Sequence, residues 1–99
     1  MKFYHAAPMD TMINIVGSGV LKSSWDGVVY LCKQPTDACK FLAIRGMRKM
    51  SVIEVEMRED DVEESHDHSE RFFQCKAYMH YGDVKLTGNE IVTYYSFDF

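Results

Sequence analysis

Apolar residues change their spacing several times along this chain, and each change predicts an element. Residues 2–5 (Lys-Phe-Tyr-His) read as a short aromatic strand, after which Pro8 fixes a backbone angle suited to the first turn of a helix. Met9, Met12, Ile13, Ile15 and Val16 fall largely at helical spacing. Gly17 and Gly19 are expected to end that helix, because glycine readily takes the left-handed cap conformation. Val20 and Leu21 lead into a polar loop over residues 22–27, which carries the lone tryptophan, Trp25.

Residues 28–32 (Val-Val-Tyr-Leu-Cys) concentrate β-branched and aromatic side chains, the pattern of a strand covered on both faces. Pro35, Thr36 and Asp37 open a second helix with an apolar stripe of Ala38, Phe41, Leu42 and Ile44, and Gly46 stops it. Beyond a basic corner of Arg45, Arg48 and Lys49, residues 51–57 alternate polar and apolar over part of their length, which predicts a half-exposed strand. Nine of the fifteen acidic residues fall between Glu54 and Glu70, which predicts a solvated acidic loop. Strand character returns over 72–81 and stops at Gly82-Asp83. It resumes at 84–86 and, after the turn Thr87-Gly88-Asn89, in a last strand over 90–97.

Helices early and strands late predict an α+β fold whose antiparallel sheets are covered on one side. A parallel sheet is disfavoured because the second half offers no crossover helix. Ninety-nine residues make one domain, 1–99, and the 46% hydrophobic and 13% aromatic fractions supply a dense core. Eleven basic against fifteen acidic residues give a net charge of −4, which argues against a general attraction to nucleic acid phosphates. No apolar run approaches the roughly 18 residues needed to cross a bilayer, and the N-terminus opens into a strand rather than a signal peptide, so a cytoplasmic protein without a membrane partner is expected.

Cys32, Cys39 and Cys75 are odd in number and lack C-x-x-C spacing, so they are expected to be reduced, buried thiols. The apolar surroundings of Cys32 and Cys39 raise a thiol pKa and disfavour a nucleophilic role. No glycine-rich phosphate loop is present. His66 and His68, two residues apart, would share one face of a strand, but no second ligand cluster accompanies them and no metal site is expected.

His5 at the end of the first strand, Tyr30 in the second and Glu90 at the start of the last resemble the His-Tyr-Glu triad of the ADP-ribosyltransferase-like superfamily, in its diphtheria toxin-like and poly-ADP-ribose polymerase-like forms. Gly19-Val20-Leu21 is similar to the family's exit from its first helix. Val29-Tyr30-Leu31 is similar to its tyrosine strand, and Asn89-Glu90-Ile91-Val92-Thr93-Tyr94 to its glutamate strand. Phe41 stands where the family has its second nicotinamide-stacking aromatic, about three helical turns after the first.

The resemblance implies a split antiparallel β-sandwich with two short helices near the N-terminus. It further implies NAD as substrate and an ADP-ribosyltransferase or NAD glycohydrolase that cleaves the nicotinamide–ribose bond. Glu90, His5 and Tyr30 would be catalytic, and His5, Ala6, Tyr30, Phe41 and Arg45 would surround the dinucleotide. Ala6 stands where the family usually has glycine, so a methyl group takes the place where backbone approaches the nicotinamide amide. The chain is also similar to the RNA 2′-phosphotransferases of the same fold, although it lacks matching arginines.

The chemistry of these residue types fits that assignment. Breaking the bond between nicotinamide and ribose develops positive charge on the sugar, which a fixed carboxylate such as Glu90 stabilises. Tyr30 and Phe41 offer two aromatic faces for a flat ring, worth about 0.5–1.5 kcal/mol per pair beyond burial. His5 could donate to a ribose hydroxyl or a pyrophosphate oxygen, and Arg45, Arg48 or Lys49 could neutralise phosphate.

A different class of function fits the same fold: a non-catalytic interaction or inhibitor protein, of a phage or mobile-element kind, whose acidic 54–70 segment docks a basic protein partner. The acceptor of an ADP-ribosyl group is not specified by these residues. The aromatic residues 94–99 would either cover the core or form a dimer edge.

Overall fold

Pro8 both stops the first strand and starts the first helix. The computed structural model describes residues 1–65 and 76–98. In it β1 (Lys2–Ala7) runs two residues beyond the predicted aromatic run, and α1 (Met9–Ser18) follows with its first internal bond from Met12 N–H to the Pro8 carbonyl at 2.9 Å. Gly17 lies inside α1 rather than at its end. One interior glycine costs a helix about 1 kcal/mol, which the docking of Met12 and Ile15 against the sheet offsets. Gly19 alone forms the cap, at φ 73°, with its N–H on the Ile15 carbonyl at 3.0 Å.

The remaining elements are β2 (Val20–Leu21), β3 (Val28–Leu31), α2 (Pro35–Ala43), β4 (Lys49–Glu56), a short 3₁₀ turn (Glu59–Asp61), β5 (Glu63–Ser65), β6 (Ala77–Tyr81), β7 (Val84–Lys85) and β8 (Ile91–Ser96). Three antiparallel sheets result, ordered β1-β4-β8, β3-β6-β5 and β2-β7. The architecture is α+β, with both helices in the N-terminal half. No helix among the described residues is long and apolar enough to cross a membrane.

β4 departs from the half-exposed strand that its sequence predicts. It is the middle strand of its sheet, and Met50, Ser51, Val52, Ile53 and Val55 are all buried. Alternation across a pleated strand sends Ile53 and Val55 to one face and Met50 and Val52 to the other. On the first face they join Phe3, Ala7, Met12, Ile15, Leu21, Val29 and Leu31 under α1. On the second they meet Cys39 of α2, with Tyr4, Ala6, Leu42, Tyr95 and Phe97 packed around them. Two helices, one per face, therefore cover a strand that was expected to have one wet side.

The acidic stretch is likewise not one loop. Glu54 and Glu56 belong to β4: Glu54 accepts the Tyr4 hydroxyl at 3.0 Å, and Glu56 pairs with the N-terminal ammonium at 2.7 Å. The 3₁₀ turn and β5 take the next carboxylates. Glu70, His66, His68 and Cys75, together with the first part of the strand predicted over 72–81, lie outside the described residues.

Cys32 and Cys39 are buried, and burial pushes the Cys39 thiol up to about 11, which leaves it protonated and unreactive at neutral pH. The isoleucines give a direct check on the packing. Ile53 is fully buried whereas Ile13 on α1 is 66% exposed. Ile53→Ala is expected to cost about 2–5 kcal/mol of unfolding free energy, measured by urea denaturation. Ile13→Ala should stay within about 0.5 kcal/mol; equal losses at the two sites would contradict the packing described.

Candidate functional site

Two of the three sheets touch at one point. Tyr4 N–H donates to the Cys32 carbonyl at 2.8 Å and Cys32 N–H to the Tyr4 carbonyl at 2.9 Å, the bridge recorded between β1 and the end of β3. An antiparallel ladder that continued would next pair Ala6 with Tyr30. Instead the Tyr30 carbonyl meets a side chain, Nδ1 of His5 at 2.8 Å. The strands separate there, and the imidazole stands at the split.

A carbonyl oxygen only accepts, so the Nδ1 of His5 carries the proton and the neutral ring presents Nε2 as an acceptor. Burial lowers the pKa of this half-buried imidazole below its ordinary range, and the bond to the Tyr30 carbonyl opposes that only in part. At neutral pH the ring is uncharged. It therefore accepts a hydrogen bond from a hydroxyl at Nε2, and the donor role expected of it requires protonation first.

His5 lines a hollow on each side of the split. The first, of about 210 Å³, is bounded by Tyr4, His5, Ala6, Tyr30, Cys32, Ala38, Phe41, Leu42 and Arg45, with Ser24 at one side. The strands and α2 thus bring together five residues singled out in the sequence: His5, Ala6, Tyr30, Phe41 and Arg45. They come from β1, β3, α2 and the turn after α2. Tyr30 is set by its strand on the side opposite Val29 and Leu31, and its hydroxyl donates to Asp26 Oδ2 at 2.9 Å. The other oxygen of Asp26 accepts the Val28 N–H at 3.3 Å, so one carboxylate fixes both the turn and the phenol. Arg45 is exposed at the end of α2, and Arg48 and Lys49 do not line the hollow.

The second hollow, of about 280 Å³, lies between α1 and β2 and is lined by His5, Thr11, Asn14, Ile15, Ser18, Val20, Leu21 and Lys22. Its polar residues were missed in the sequence. Thr11, Asn14 and Ser18 fall three and four residues apart, a polar stripe beside the apolar one, and that spacing was the available signal.

Glu90 stands apart from both hollows. It directly precedes β8, which is paired to β4 with Ile91 opposite Glu54, while β1 sets Tyr4 opposite Glu54 on the other side. Strand spacing puts its Cα about 12 Å from that of His5. Its half-buried carboxylate accepts the Thr87 N–H at 2.9 Å, the Thr87 hydroxyl at 2.8 Å and the Gly88 N–H at 2.9 Å. Burial pushes this carboxyl up, but the bonds from the Thr87 backbone and hydroxyl, its own N–H and Gly88 outweigh that and hold it below the ordinary range. It is ionised at neutral pH and fixed in place. No group of His, Cys, Asp and Glu suited to a metal ion occurs among the described residues.

The His5 environment has a consequence for stability. Its folded-state pKa lies below the unfolded value near 6.5, so the unfolded chain binds a proton first as pH falls. His5 leaves stability untouched above about pH 6.5 and withdraws it progressively below that, until the folded-state value is passed. His5→Gln removes this component. Urea midpoints followed from about pH 8 to pH 5 should fall less steeply in the variant than in the parent; parallel curves would contradict a depressed imidazole.

No family model, no curated protein and no solved structure matches the chain, so its functional reading rests on the residues of these hollows.

Proposed function

We propose that this chain is a minimal NAD-binding domain of the ADP-ribosyltransferase type, acting on the nicotinamide–ribose bond as a transferase or NAD glycohydrolase. The observation that carries the reading is the convergence of His5, Ala6, Tyr30, Phe41 and Arg45 on one hollow from three separate segments of chain. Two antiparallel sheets joined at a single bridge, with both helices in the N-terminal half, agree with the split sandwich that this reading requires.

In this reading the nicotinamide ring lies against Tyr30 and Phe41, and the Asp26 bond to the Tyr30 hydroxyl holds Tyr30 in position before the ligand arrives. The backbone at Ala6 meets the amide edge of the ring. Nε2 of neutral His5 accepts from a ribose hydroxyl, and Arg45 neutralises phosphate. The second hollow, on the other side of His5, takes the remaining polar part of the dinucleotide along Thr11, Asn14 and Lys22. The reaction breaks the bond between ribose C1′ and the nicotinamide nitrogen, and the electron pair leaves with nicotinamide. Water or another acceptor forms the new bond to C1′ and releases a proton. Glu90, an ionised carboxylate held by its own turn outside both hollows, would stabilise the charge on the sugar once residues 87–90 move toward the first hollow.

One observation favours a second reading. The Glu90 carboxylate is held by its own turn and lines neither hollow, which suits a domain that binds NAD without cleaving it. Nicotinamide release separates the two. With an active enzyme, NAD raises Tm and free nicotinamide accumulates; Glu90→Gln lowers the release rate on the order of 10²–10³-fold while the Tm shift persists. With a binding module, the Tm shift appears without release in either protein. Tyr30→Ala should weaken NAD binding about 2–10-fold in both cases, measured by calorimetry. A melting temperature indifferent to NAD would end both readings.

A further inference from the structure

The outer edge of β8 is built unlike the short edge that β5 gives the other three-stranded sheet. β5, an edge of the β3-β6-β5 sheet, consists of Glu63, Glu64 and Ser65, and two carboxylates in three residues discourage another strand from pairing there. β8 reads Ile-Val-Thr-Tyr-Tyr-Ser. It is six residues long, has no charge and no proline, and among the described residues is paired on one side only, to β4. Ile91, Val92 and Tyr94 are 59%, 42% and 46% exposed. Exposed backbone donors and acceptors flanked by β-branched and aromatic side chains are what a further strand requires.

The surrounding charges say which strand. At the end of β8 near Ser96 the neighbouring strand presents Lys49, which is paired with Ser96, and Arg48, whose carbonyl accepts the Phe97 N–H at 2.7 Å; Asp98 lies just beyond. At the Ile91 end stand Glu90, Glu54 and Glu56, with Lys2 at 3.8 Å from Glu54 and the N-terminal ammonium on Glu56, which leaves that end with one net negative charge. A parallel copy of this edge would set acid on acid and base on base. An antiparallel copy sets the basic end of one chain beside the acidic end of the other, twice, and with Thr93 opposite Thr93 it places Val92 opposite Tyr94 of the copy on one face. That arrangement has two-fold symmetry and closes on itself.

We infer that β8 is a homodimer edge, at which two copies pair β8 to β8 in antiparallel register and fuse their β1-β4-β8 sheets into one six-stranded sheet. Val92 and Tyr94 lie on the face that carries α1, where the outward residues Ile13 and Val16 are also exposed, so apolar contact accompanies the backbone pairing. The partner is a second copy of this chain, independent of whether the hollows bind NAD.

Sedimentation velocity on the full chain from about 10 μM to about 500 μM tests this. The parent is expected to shift from monomer to dimer over that range, and Tyr94→Lys to remain monomeric with an unchanged far-UV circular dichroism spectrum. Lys49→Glu should weaken dimerisation about tenfold at low salt, and the difference should shrink as salt is added. Hydrogen exchange of the parent across the same concentrations needs no variant: amides of 91–96 should become more protected as concentration rises. A parent that stays monomeric at the upper concentration, a dimer whose protection appears elsewhere, or a folded Tyr94→Lys that still dimerises would each overturn the inference.

Discussion

The two backbone bonds between Tyr4 and Cys32 are the constraint on which the rest of the molecule depends. They tie β1 to β3 at one rung, and so join a sheet built on β4 to a sheet built on β6. Had the ladder continued, the sheets would have merged and left no opening between them. Because it stops after one rung, the next carbonyl of β3 needs another donor, and the imidazole of His5 supplies it. His5 thereby borders both hollows.

This arrangement divides the labour of the side chains by strand parity. On β1, Phe3 and Ala7 anchor the core under α1, while Tyr4 and Ala6 belong to the surroundings of α2. On β3, Val29 and Leu31 are committed to the first core, which leaves Tyr30 to face the hollow beneath α2. Glu90 enters from a third place, the turn before an edge strand, and that turn has its own need for a carboxylate. Whether the residue serves its turn alone or also a sugar is therefore a question about motion of residues 87–90, and not about the rest of the scaffold.

Local chemistry made some of this legible in the sequence. Pro8 and Pro35 announced the helix starts, Gly19 and Gly46 their ends, and the run Val28 to Leu31 its strand, because each acts through its own backbone preference. Gly17 misled because a docked apolar face tolerates an interior glycine that an isolated helix would not. β4 was misread because Glu54 and Glu56, alternating with Ile53 and Val55, looked like a wet side, yet Met50 and Val52 share that face and are buried. Their surroundings come from helices far away in sequence, and no local pattern reports how many layers will cover a strand. In the site, the aromatic residues and His5 could be named from their types and order. The polar stripe of α1 was hidden by the apolar stripe beside it, and the separation of Glu90 is a matter of register, which alternation alone does not fix.

The lone tryptophan has a practical consequence. Trp25 is 99% exposed, at the tip of a turn held by the bonds from Ser24 N–H to the Val28 carbonyl and from Gly27 N–H to the Ser24 carbonyl, beside the residue that bounds the first hollow. Its indole is as wet in the folded chain as in the unfolded one. Intrinsic fluorescence is therefore nearly blind to unfolding in this protein, and any blue shift it does show reports something settling over that turn.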